Sequence, residues 1–304
     1  MRIFKLINNN SRKVILHGVF FIVAAMSIGL ASILVKLSSA SAIACAFWRL
    51  FFSSLLISII CLITKSNIIN IFKVLDGAKI ALVFAAGFSL AFHFILWMES
   101  LFRIPIAISV TIVVAYPLHL ALVEIIFEKE RKIITPLAGL LLGFLGIVIL
   151  FREAYVYAKL DALGVAQSFI ASILAAMYFY IGRLLRKTIN LYLYSFQVYA
   201  VASIIVFLHS SIVGEDVFMY LPKSWIWFLL LAIIPMLGGH TVMNYLLKFY
   251  RSSSVTSIAL AEPAIASILA AILFREVIEM LHIVCLAIIM LGIALSLLPE
   301  FKNR

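Results

Sequence analysis

Between residues 15 and 298 the chain is a succession of apolar runs, each about twenty residues long and separated by short polar turns. That pattern dictates the solvent before anything else is considered. The runs fall at 15–36, 41–64, 77–100, 104–127, 133–151, 162–182, 190–213, 225–247, 253–274 and 280–298. A bilayer core takes about 20 apolar residues per helix, and its lack of water obliges backbone groups to bond within the helix. The runs are too continuous for the alternation of a membrane β-strand, so helices are expected. Composition agrees: 65% of the 304 residues are hydrophobic and 12% charged, too few charges to coat a water-soluble globule. The first run also fits a signal peptide, with Arg2, Lys5, Arg12 and Lys13 before it and Ala40-Ser41-Ala42 after it. Its length and its counterpart in the repeat below favour a retained span.

The formal net charge of +11 would suggest nucleic acid in a soluble protein. Here it is read as topology, because basic residues gather in cytoplasmic loops. With the N-terminus inside and ten spans alternating, 17 of the 24 Lys and Arg lie inside and six outside, leaving Arg49 within the second span. Both termini are therefore expected in the cytoplasm. The loops are too short for a further folded domain, so no nucleic-acid partner is expected. Cys45, Cys61 and Cys285 sit in apolar runs without metal-ligand spacing, and no metal or cofactor is expected.

Sliding the chain against itself by 146 residues aligns its halves. Gly18 meets Gly164, Pro117 meets Pro263, Glu130 meets Glu276, and Leu145-Gly146-Ile147 meets Leu291-Gly292-Ile293. Matches among Leu, Ile and Ala count for little, but a shared offset of Gly, Pro and Glu carries weight. Five spans per half is an odd number, so the second half should sit inverted, the design that lets a secondary transporter face each side in turn. The sequence thus predicts an all-α integral membrane protein, with ten transmembrane helices as two inverted five-helix repeats at 15–152 and 161–298.

Several local patterns are similar to the ten-span EamA family of the drug/metabolite transporter superfamily. They are Arg49 in the second span, Pro117 followed by Glu130, and Glu262-Pro263 followed by Phe274-Arg275-Glu276. Tyr180-Ile181-Gly182-Arg183 with Leu185-Arg186, and Gly239-His240 with Asn244, also resemble it. A Leu-Gly-Glu turn frequent in that family appears here as Phe127-Glu128-Lys129-Glu130 and Phe274-Arg275-Glu276, with the Glu kept and the Gly lost. The resemblance implies a cavity lined by the first four helices of each half, the fifth packed outside, and small-metabolite cargo that is often exported.

Polar groups at membrane depth are costly, so each is a binding candidate. Glu262 lies mid-span before Pro263, whose missing N–H favours a kink; its repeat counterpart is Tyr116. Tyr116 and His119, His93 and Trp97, and His240 and Asn244 each stand three or four apart, hence on one helix face. Histidine titrates near neutral pH and makes a coupling proton a candidate. Arg49 would receive a substrate carboxylate, pair with Glu99 or snorkel outward, and Gln197 lies near its counterpart, allowing a shift of two residues. Glu124, Glu128, Glu130, Glu276 and Glu279 read as solvated span ends, and Tyr178 and Tyr180 as interface anchors. Gly139 and Gly143 permit close helix contact, within the monomer by default or in a weak homodimer.

The expected function is secondary active transport, by alternating access, of a small organic metabolite across the plasma membrane. Phosphorylated cargo would call for several mid-membrane cations, so an amino acid or similar zwitterionic or neutral compound fits better. The expected partners are the lipid bilayer, the cargo and a coupling proton. An intramembrane enzyme acting on lipid is the alternative, and would need a nucleophile–base pair or metal ligands at helical spacing. A channel or scaffold also remains open.

Overall fold

A computed structural model describes residues 2–63, 76–128, 134–152, 156, 161–265, 268 and 280–302. Among the described residues, eight helices are long and apolar enough to span a membrane. We label them by position: α1 (Lys13–Leu37), α2 (Ala42–Ile63), α3 (Gly77–Arg103), α4 (Ile106–Phe127), α6 (Ala162–Arg186), α7 (Leu191–Val213), α8 (Pro222–Leu246) and α10 (Met280–Phe301). Between them stand the shorter apolar helix α5 (Ile134–Leu150) and the start of α9 (Ser252–Thr256), which continues helically through 265. The ninth run is described only in part. Glu130, Glu276, Glu279 and the altered turns around Lys129 and Arg275 lie outside the described residues.

Local chemistry sets several boundaries. Asp76, Asp161 and Asn190 cap α3, α6 and α7, each side chain accepting a backbone N–H of the first turn at 2.7–3.0 Å. Gly214 ends α7 at φ +74°, a left-handed conformation that a side chain would strain. Pro222 opens α8, where its absent N–H costs nothing.

Packing repeats between the halves. α3 packs along α6 and α1 along α8; α2 packs against α7 and α5 against α10. Exchanging α1–α5 with α6–α10 maps this set of pairings onto itself, as a two-fold relation requires. At the α5–α10 crossing, a Cβ on Gly139 would stand 2.6 Å from the Gly292 carbonyl, and one on Gly292 would stand 2.5 Å from the Gly143 nitrogen. The glycines are therefore used within the chain, where backbone meets backbone.

Among the described residues, four helices are interrupted near mid-span. α1 breaks at Leu30, and α4 breaks between Val113 and Tyr116, just before Pro117. α9 tightens to a 3-10 turn at Ser257–Leu260, just before Glu262-Pro263. α8 widens to a π-helix over Ala232–Thr241 around Pro235. A proline removes one backbone donor and crowds the preceding turn, which explains three of the four. Inside α8, Thr241 Oγ1 donates to the Met236 carbonyl at 3.1 Å, supplying a bond the widened turn needs.

Candidate functional site

The interruptions surround one small cavity of about 20 Å³, lined by Ile28, Ala31, Arg49, His93, Phe94, Trp97, Val113, Tyr116, His240 and Glu262. That is room for roughly one water. α1, α2, α3, α4, α8 and α9 each contribute, while α5 and α10 stay outside. Six residues singled out from sequence converge here: Arg49, His93, Trp97, Tyr116, His240 and Glu262. All are buried, Arg49 at 1% exposure and Glu262 at 4%.

The lining is unusual in its orphaned polar atoms. Arg49 Nε and Nη1, Trp97 Nε1, His240 Nδ1 and Glu262 Oε1 are buried without a hydrogen-bond partner. Arg49 lays its guanidinium over the Phe94 ring, 4.1 Å from the centroid, which offsets part of its desolvation. Glu262 acts on Arg49 electrostatically across the cavity, yet among the described residues the two form no ion pair. The Ser32 hydroxyl on α1 stands beside the Glu262 carboxyl without closing a hydrogen bond on Oε1. Donors thus gather on the Arg49–Trp97 side and an acceptor stands at Glu262.

Aromatic rings fix these groups. His93 Nδ1 lies 2.9 Å from the Ala171 carbonyl, which only accepts, so that nitrogen carries the proton. The His93 ring stacks on Trp97 at 6.1 Å and 8°. His240 stacks on Phe179 at 5.5 Å and 16°, and Phe179 in turn stacks on Tyr116 at 5.6 Å.

The three other candidates stand elsewhere. Asn244 lies past the π-segment and donates to Tyr178 OH at 2.6 Å and Tyr199 OH at 3.2 Å. His240 and Asn244, four apart, both meet Tyr178, whose ring lies 5.9 Å from that of His240, but Asn244 stands one turn beyond the cavity and is taken up by the Tyr178–Tyr199 hydroxyls. His119 meets Ser172 on α6 at 3.3 Å and is half-buried. Gln197 is off the lining, as is Ser195, the exact repeat partner of Arg49: α7 contributes no lining residue, so the two halves differ here.

Other polar expectations also change. Glu99 accepts from Gln167 Nε2 at 2.5 Å and lines a separate recess of about 440 Å³ with Arg103 and Glu215, so it does not neutralise Arg49. Tyr178 is no interface anchor: it is fully buried in the Asn244 network. Glu124 is fully buried rather than solvated, accepting from the Ser252 and Ser253 backbone N–H at 2.8 and 3.2 Å. Sequence reasoning missed it because the helix it caps lies 128 residues away, although three serines after Arg251 mark a helix start in want of an acceptor.

The EamA-like transporter family model matches this chain twice, at residues 16–152 and 162–298. One solved structure, described as "Crystal structure of protein", superposes with a TM-score of 0.75 at 16% identity, covering 95% of this chain and 99% of that one. At such identity the likeness is one of fold. No curated protein matches by sequence.

Proposed function

Because the chain belongs to the EamA-like transporter family, we propose that it is a secondary transporter for a small zwitterionic metabolite, an amino acid or a compound of similar charge, working by alternating access. What carries this reading is one observation: buried donors on Arg49 and Trp97 and a buried acceptor on Glu262 face a common cavity without partners. An unpaired buried ion costs several kcal/mol even after relaxation. A zwitterion supplies what each side lacks, with its carboxylate toward Arg49 and Trp97 and its ammonium toward Glu262. His93, Tyr116 and His240 form the walls. One arginine is too little cation for a phosphate ester.

The cavity holds about 20 Å³, far less than such a cargo. Binding therefore has to spread the broken helices, and their interruptions supply the compliance. The end carrying Lys13, Arg183, Lys248 and Arg251 is the more basic and is placed in the cytoplasm of a plasma-membrane protein. Export is the direction that the family resemblance implies. Glu262 is also the candidate carrier of a coupling proton.

Thermal unfolding of the purified protein against amino acids, nucleosides and sugar phosphates tests the cargo class. A ligand at a hundred times its Kd should raise stability by about 2.7 kcal/mol, and counterflow in proteoliposomes should then show saturable exchange. Glu262→Gln should abolish the pH dependence of flux while leaving folded yield intact. Stabilisation by sugar phosphates alone would overturn the zwitterion reading.

A further inference from the structure

The cavity is closed toward both ends of the bundle, but the two closures are built differently. On one side of the cavity α3, α4 and α6 pack together; on the other stand α1, α8 and α9. At the end opposite the basic one, the polar contact that crosses between these groups, among the described residues, is Lys36 on α1 lying over the Phe102 ring on α3 at 4.1 Å. Beside it is the open recess lined by Glu99 and Arg103. The Glu99–Gln167 and Arg103–Asp161 contacts there join α3 to α6 within one group.

The basic end is joined much more firmly. Glu124 on α4 is fully buried and accepts the backbone N–H groups of Ser252 and Ser253 at the head of α9, together with the Ser253 hydroxyl. Arg183 on α6 donates to Glu124 at 3.4 Å and to the Tyr250 carbonyl, in the turn between α8 and α9, also at 3.4 Å. The Tyr250 hydroxyl meets His17 on α1 at 2.7 Å. Five helices therefore meet through one carboxylate, one guanidinium and one turn, and most of these bonds cross from one group to the other. Ionised donors and acceptors make stronger bonds than neutral ones, and Glu124 also faces the positive end of α9. Ten residues separate Ser252 from Glu262, so the clamp stands about 15 Å from the cavity.

Alternating access requires the two groups to separate at one end while staying joined at the other. We propose that the Glu124–Arg183–Ser253 clamp is the gate of the basic end, and that this structure is an occluded state locked there and only lightly held at the opposite end. This rests on the transporter reading above. Outward opening would sacrifice the Lys36–Phe102 contact, since the Ser41–Glu215 and Ser41–Tyr220 bonds at that end join the turns flanking α1 and α8 within one group. Inward opening would require Glu124 to release the head of α9.

The test is accessibility of the cavity from each end. Ala31→Cys puts a thiol on the cavity wall, and the native cysteines, all buried, give the background in vesicles lacking it. A membrane-impermeant maleimide is applied to vesicles exposing either end. Adding Glu124→Gln, which keeps the shape but loses the charge, should speed labelling from the basic end at least tenfold and leave the opposite end unchanged. If that variant is not recovered folded, Ser253→Ala removes only the hydroxyl bond and should give at least a threefold rise from the same end. Labelling unchanged in a folded variant, or raised equally from both ends, would overturn the gate. Labelling needs no cargo, so the two readings separate. A basic-end rise without counterflow would refute transport, and counterflow with unchanged labelling would refute the clamp.

Discussion

If Arg49 and Glu262 serve a ligand, the empty protein bears their cost, and removing both should make it more stable. Each is buried, neither touches the other, and three of their polar atoms lack partners. A buried donor or acceptor left unsatisfied costs about 1–3 kcal/mol, so three imply a gross penalty of roughly 3–9 kcal/mol. Against this stand the Arg49–Phe94 contact, about 2 kcal/mol when desolvated, and the attraction between the two charges across the cavity. Replacing buried charges by residues of similar volume gains about 1–4 kcal/mol in other proteins, a range the remainder reaches. The double variant Arg49→Met/Glu262→Gln should therefore melt a few degrees above the parent in detergent, followed by tryptophan fluorescence at one scan rate. It should also lose every ligand-induced shift, whereas Arg49→Met by itself leaves Glu262 isolated and should gain less. A double variant that melts more than about 1 kcal/mol below the parent would show the two charges to be structural and remove the basis of the binding argument.

Other consequences are simpler to check. Gly292→Ala puts a methyl group into the Gly143 backbone and should destabilise by about 1–3 kcal/mol in the same melt, while Gly18→Ala, with open space around it, should be neutral. Trp97→Phe keeps a ring against His93 but removes the orphaned N–H; ligand affinity should fall about tenfold, by titration, with the ligand-free melting temperature unchanged. Asn244→Leu takes the donor from the Tyr178 and Tyr199 hydroxyls and should cost about 1–3 kcal/mol of stability while leaving ligand affinity intact, since Asn244 does not line the cavity.

That the chain is a helical membrane bundle follows from its apolar runs alone. Runs such as 280–298 leave the backbone no partner in lipid other than its own helix, and that constraint is local. The matched glycines and prolines disclosed the duplication, and Pro263 marked where one helix would be interrupted, because a missing donor disrupts its own turn wherever the helix packs. The breaks at Pro117 and Pro235 follow the same rule but emerged with the structure. Polar residues at depth were legible as candidates for the same reason: hydrocarbon penalises each of them without reference to its neighbours. Which ones face each other was a matter for tertiary structure. His240 and Asn244 both reach Tyr178, yet only His240 lines the cavity, and α7, which carries Gln197 and Arg49's repeat partner Ser195, gives the cavity no lining residue. Burial of Glu124 depended on α9 arriving from 128 residues away to offer its unpaired N–H groups. Helix rotation and distant caps are decided by how elements pack, and periodicity within one segment does not encode them.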